Sequence, residues 1–258
     1  MKNFLRQWWL ISKRELLQLV LTPIFWVISG VFFFATSLVF LGLVIGFSDP
    51  ELRAEQNINS DVTLSVVRQL FWIIHYFLMI QIPLLTMRSF AEERKLKTYQ
   101  LLQTLPITEW AHVLGKFTGS FVAMTLYLAL TLIFPFLVEW LSSPQWPVII
   151  GSYAVLMLSL ACYLAVGLFF SSMTESQVVS AVLSYVFLFG MLIFSSLSQA
   201  FNVEALVVLS KHLTFLSHVD PFLEGLVRSR DVGYFLLATV LFLFFTVRQL
   251  ESFRWRSV

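Results

Sequence analysis

The sequence predicts an all-α integral membrane protein of six transmembrane helices, and three observations carry that prediction. Of 258 residues, 58% are apolar and 12% are charged, with a mean hydropathy of +0.82, whereas soluble domains carry about 25% charged residues. Six runs contain no charged residue: 23–47, 70–87, 117–138, 148–170, 178–197 and 232–247. About 20 apolar residues carry a helix across the hydrocarbon layer. These runs are continuously apolar and do not alternate, which excludes a large β-barrel. Helices then remain as the spanning structure that satisfies its own backbone hydrogen bonds in lipid.

The first 22 residues form a separate element, and no cleavable signal peptide is expected among them because the following run is too long for an h-region. At 100° per residue, Leu5, Trp8, Trp9, Ser12, Leu16, Leu19 and Val20 fall within an arc of about 120°. Arg6, Lys13 and Arg14 lie off that arc. The pattern predicts an amphipathic helix in the plane of the headgroups, contacting membrane lipid. Its characteristic residues are Trp8, Trp9, Lys13, Arg14 and Glu15. A plain basic flank that fixes topology is the other reading. Thr22-Pro23 supplies a bend into the first span.

The connections differ in character. Residues 88–116 hold eight of the chain's 32 formal charges, too many residues and charges for a simple turn. Residues 140–147 form a tight turn with Pro144 and Pro147, and 171–177 is short and uncharged by basic residues. Residues 201–230 are too apolar for a solvated loop, yet Glu204, Lys211, Asp220 and Glu224 interrupt them too often for a span. Two short helices that dip into the bilayer and return would fit, if protein buries their polar ends. An amphipathic hairpin on the outer surface is the alternative. The last run, 232–247, is short and must be extended by its polar flanks. One membrane domain accounts for residues 1–258.

Charge sets the orientation. Twelve of the 17 Lys and Arg residues fall on the side that holds both termini and the 88–116 loop. The positive-inside rule therefore places those segments in the cytoplasm.

Within the central loop, Thr98, Leu101, Leu102 and Leu105 are spaced i, i+3, i+4, i+7 and form one apolar stripe, which Pro106 ends. Glu92, Glu93, Arg94, Lys95 and Lys97 precede it. Such a helix can pack on its own bundle, or it can dock in a groove of a cytoplasmic partner.

Several chemistries find no support. A phosphate-cradling loop needs G-x-x-x-x-G-K-[ST], and the single Gly-Lys pair, Gly115-Lys116, is followed by Phe117. The four histidines (75, 112, 212 and 218) and the single Cys162 show no metal-ligand spacing. No nucleophile is marked, and the basic residues do not form a nucleic-acid groove. His75 lies in the second span with no acidic neighbour, which favours a bond to a neighbouring helix over a substrate path. The small-residue stretches 119–123 and 171–176 suit helix packing.

The segment EERKLKTYQLLQTLPIT (92–108) resembles the intracellular coupling segment of type-2 ABC transporter permeases, where acidic residues precede Gly-Thr, an acidic residue, a Leu pair and Pro-Ile/Val-Ser/Thr. KRELLQLVLTPIFWV (13–27) resembles that family's entry into its first span. DPFLEGLVRSRDVGYFLLATVLFLFFTVRQLESFRWR (220–256) is similar to the closing segment of permeases of the gliding-motility type. Lys97 stands where the family usually has Gly, and Gln100 where it often has Glu.

The resemblance implies a non-catalytic permease of the bacterial cytoplasmic (inner) membrane, built for export or translocation. Glu92, Glu93, Thr98, Leu101, Leu102, Leu105, Pro106 and Thr108 would contact a cytoplasmic ABC ATPase as a coupling helix between spans 2 and 3. ATP and Mg would bind that ATPase and not this chain, which is expected to carry no cofactor. A second permease copy or paralogue would complete the membrane part, with room for a periplasmic or membrane accessory protein. An ATPase-coupled mechanotransmission or assembly subunit that passes no solute is the alternative. A secondary transporter is disfavoured by the lack of paired intramembrane charges and repeated broken helices.

Overall fold

The computed structural model describes residues 2–49, 61–97, 108–201 and 203–256, and every regular element among them is helical. In chain order these are α1 (Lys2–Leu21), α2 (Pro23–Ser48), α3 (Arg68–Thr86, led in by a π-helical turn at Thr63–Val67) and α4 (Ala91–Lys95). Then follow α5 (Glu109–Leu130), α6 (Ile133–Leu141), α7 (Trp146–Met173) and α8 (Gln177–Phe201). Last come α9 (Glu204–Leu213), α10 (Phe215–Leu223) and α11 (Ser229–Arg256).

Among the described residues, six helical segments are long and apolar enough to cross a membrane: Pro23–Ser48, Ser65–Lys95, Glu109–Trp140, Trp146–Met173, Gln177–Phe201 and Ser229–Phe253. The chain is a multi-pass membrane protein. Each segment contains one run expected from sequence. The short last run gains its missing length from both polar flanks.

The bundle is built around α7. It packs against α3, α5, α8, α10 and α11, and its residues from Cys162 to Leu168 are buried on all sides. A helix apolar around its whole circumference belongs at the centre of such a bundle. By contrast, α2 touches α1, the π turn and α3 and turns Val27, Val31, Phe34, Leu38, Leu41 and Ile45 outward.

Seven hydroxyls along the spans are satisfied locally. Thr36, Ser37, Thr125, Ser152, Ser184, Thr239 and Thr246 each donate to the carbonyl four residues back, at 2.7–2.9 Å. Where water cannot supply an acceptor, this is the nearest one.

The third span is interrupted at Thr131–Leu132, between α5 and α6. Pro135 has no N–H to offer the Thr131 carbonyl. The ladder there shifts to three-residue bonds, Thr131 N–H to Leu128 O at 3.0 Å and Leu132 N–H to Ala129 O at 3.2 Å. The Thr131 hydroxyl then reaches Tyr153 Oη at 3.1 Å, which ties the break to α7.

At the end opposite α1, α9 and α10 are the two short helices expected within 201–230. Phe215, Val219, Phe222 and Leu223 of α10 are buried, while α9 leaves Val208 and Leu209 exposed. Arg68 holds α10 from the foot of α3, at 3.1 Å from both Asp220 and Glu224. His218 Nδ1 lies 2.6 Å from Asp231 of α11. The chain leaves α10 through Gly225 at φ +81°, a left-handed turn that a side chain would strain.

Candidate coupling site

The end that carries α1 and α4 contains a buried ionic cluster assembled from three elements. Glu93 of α4 places Oε1 3.0 Å from Lys116 Nζ and Oε2 3.1 Å from His112 Nε2. Lys116 Nζ also lies 3.2 Å from Glu15 Oε2 of α1. Ser89 Oγ donates to the other Glu15 oxygen at 3.2 Å. His112 and Lys116 are four residues apart on α5 and therefore share one helical face. Phe90 floors the cluster, with its ring 5.3 Å from Lys116 Nζ and 5.5 Å from the His112 ring. Lys116 is only 4% exposed. An ammonium so deeply withdrawn from water is tolerable because two carboxylates bracket it.

The backbone permits this approach. A Cβ on Gly115 would lie 2.6 Å from Ile11 Cγ2, and one on Gly119 would lie 2.7 Å from both Ser12 O and Glu15 Cβ. Between them Thr118 accepts from Trp8 Nε1 at 3.1 Å and meets Ser12 Oγ at 2.6 Å. Gly115-x-x-x-Gly119 is thus the track along which α1 lies against α5.

The short α4 is also joined to the ends of α7 and α11. Ser171 Oγ accepts from the backbone N–H groups of Phe90 (3.0 Å) and Ala91 (3.2 Å), two donors at the start of α4. Arg94 donates to Ser172 O at 2.7 Å, lies 3.6 Å from Glu175 and stacks 4.0 Å over the Phe253 ring. The N-terminal helix, both ends of the 88–116 loop, the 171–177 connection and the C-terminal helix therefore meet at one end.

The residues singled out from sequence divide accordingly. Glu93 is at the centre of the cluster, and Glu92 lies half-buried beside it. Thr108 is the N-cap of α5, its hydroxyl accepting from Ala111 N–H at 3.3 Å. Thr98, Leu101, Leu102, Leu105 and Pro106 lie outside the described residues. Lys97, where the resembled family usually has Gly, has φ +56°, the left-handed region in which glycine rests without strain. On α1, Trp9, Lys13 and Arg14 are exposed, whereas Glu15 and Ser12 are buried and Trp8 is half-buried against α5. Much of the apolar arc expected to face lipid is therefore covered by α5. His75 is fully buried, its Nε2 2.9 Å from Tyr163 Oη of α7.

Sequence reasoning missed Lys116, His112, Ser89, Arg94 and Ser171. Two signals were available: the four-residue spacing of His112 and Lys116, and the Gly115/Gly119 pair directly before the third apolar run.

A six-span helical membrane protein, with a buried ionic cluster joining its N-terminal helix to a charged loop, defines the class. Residues 9–245 match the family model described as ABC-2 family transporter protein, and the chain belongs to that family. No curated protein matches it. The chain is accordingly a permease-type membrane component of an ABC transporter.

Proposed function

We propose that this permease couples ATP hydrolysis by a separate cytoplasmic ATPase to export or translocation across a bacterial inner membrane. Both termini and the 88–116 loop face the cytoplasm, and two membrane subunits work with the ATPase. The segment 92–108 supplies the docking surface, its Leu101/Leu102 stripe seated in a groove of the partner. Closure of the ATPase pair pushes on this segment, and α4 passes the displacement to α1, α5, α7 and α11. The α9–α10 pair, dipping into the outer leaflet, gates the exit.

The observation that carries this reading is the Glu15–Lys116–Glu93–His112 cluster. It fixes the start of the docking segment to two other helices with buried ionic contacts. A load applied at 92–108 is then borne by helices and not lost in a loop. The likeness of 220–256 to gliding-motility permeases belongs to the same proposal.

The test is co-purification with the ATPase after Leu101→Glu plus Leu102→Glu. Loss of the ATPase from a folded variant is expected, and unchanged binding would remove the docking assignment. Substrate-stimulated ATP hydrolysis in reconstituted vesicles would follow from transport. A response only to an outer-membrane or periplasmic partner would assign the chain to force transmission.

A further inference from the structure

Beside the ionic cluster lies a cavity of about 540 Å³, enclosed by α1, the α1–α2 junction, the end of α3 and α4. Its size is within the range of small-molecule sites, roughly 300–1,000 Å³. Its lining is mixed, with Leu19, Leu84 and Leu85 beside Arg14, Arg88 and Glu92.

These charges are not balanced in the way the cluster's are. Lys116 also lines the cavity, together with Glu15 and Glu93, the two carboxylates that bracket it. Arg14 and Glu92 have no ionic partner among the described residues. Arg88 Nε is buried with no hydrogen-bond partner among the described residues. A buried donor left unsatisfied is costly, on the order of 1–3 kcal/mol, and no described residue supplies this one with an acceptor.

We infer that this cavity holds the headgroup of one phospholipid whose phosphate is tethered to a primary ammonium. The phosphate sits between Arg88 and Arg14, since guanidinium matches phosphate oxygens in paired hydrogen bonds. The ammonium sits on Glu92. The leucines take the first carbons of the acyl chains. A free phosphate would satisfy the arginines but leave Glu92 and the leucines without partners. The lipid assignment rests on the proposed position of α1 at the membrane surface. The charge pattern of the cavity does not.

The experiment is native mass spectrometry of the full chain from detergent, after exposure to equal amounts of phosphatidylethanolamine, phosphatidylcholine and phosphatidylglycerol. The wild type is expected to retain one phosphatidylethanolamine per chain, about tenfold over phosphatidylcholine, whose quaternary ammonium cannot donate to Glu92; that ratio corresponds to about 1.4 kcal/mol. Arg88→Gln and Arg14→Gln should each lower retention about tenfold. Glu92→Gln should keep a lipid but lose the preference between the two zwitterionic headgroups. Lys13→Gln, exposed and outside the cavity, should change nothing.

Arg14 is exposed, so its variant remains informative if Arg88→Gln does not fold. Equal retention by wild type and Arg14→Gln would overturn the inference. So would preferential retention of phosphatidylcholine or phosphatidylglycerol. Displacement of the lipid by millimolar inorganic phosphate would assign the site to a free anion and would also overturn it. None of these readouts involves an ATPase, so the docking proposal stands or falls separately.

Discussion

Lys116→Met removes the one cation that lies between Glu15 and Glu93. In the wild type its ammonium is 3.2 Å from one carboxylate and 3.0 Å from the other. Those side chains are 11% and 15% exposed, so little water can replace it. Breaking a buried ion pair from one side costs about 3–5 kcal/mol, because the remaining charge is left uncompensated. For a chain of this size 1 kcal/mol shifts the melting temperature by about 2–4 °C. A fall of roughly 6–20 °C is expected. Cys162 gives the assay: it is the single cysteine and is fully buried, so a thiol-reactive dye in detergent reports unfolding. The decisive comparison is the triple variant Glu15→Gln, Glu93→Gln, Lys116→Met. Neutral groups of matching shape leave no orphaned charge, and replacing a whole buried ionic group is often neutral or stabilising. The triple variant should melt within about 4 °C of the wild type. A single variant that melts like the wild type, or a triple variant no better than the single, would refute the argument.

Two further outcomes follow from the packing and the charge pattern. Gly119→Ala puts a methyl 2.7 Å from Ser12 O, a backbone atom that cannot swing aside, and should cost about 1–3 kcal/mol as overpacking. Gly30→Ala meets nothing within 4 Å and should gain about 0.5–1 kcal/mol of helix preference; equal melting temperatures for the two would contradict the contact between α1 and α5. For orientation, Trp140 is 93% exposed at one end and Glu175 has a 67% exposed side chain at the other. In intact cells a membrane-impermeant maleimide should label Trp140→Cys, and should label Glu175→Cys only after permeabilisation; the reverse pattern would invert the proposed topology.

The six spans were legible because length and freedom from charge are local properties, and each expected run lies inside a membrane-length helical segment. The break at Thr131–Leu132 was legible in principle too, since Pro135 stands within the third run. The anomalous charge of 88–116 pointed to the right region, yet the reading centred on an apolar stripe. The contacts that stand out in the fold belong to Glu93 and to residues remote from it. Lys116 and Glu15 are 101 residues apart, and no spacing rule links two charges at such a distance. Nor could periodicity decide what covers the apolar face of α1. A hydrophobic arc has the same sequence whether lipid or another helix lies against it. Only Gly115 and Gly119, small residues in register on the neighbouring helix, spoke for the helix.

Both ends of the bundle carry ionic pairs, and the end opposite α1 also holds a buried one, His218–Asp231 at 2.6 Å. At that end Arg68 grips α10 through side chains that are 32–51% exposed, contacts worth about 0–1 kcal/mol each in such surroundings. At the α4 end the pairs are buried and breaking one costs several times more. In the proposed coupling, a displacement imposed on α4 would pass to α1 and α5 through these pairs. The buried cluster is then the stiff joint where the load would enter. That role would account for the burial of a lysine at a site where leucine packing alone would have been less costly. Apolar side chains can slide past one another by a fraction of a turn, whereas an ammonium held by two carboxylates has one register.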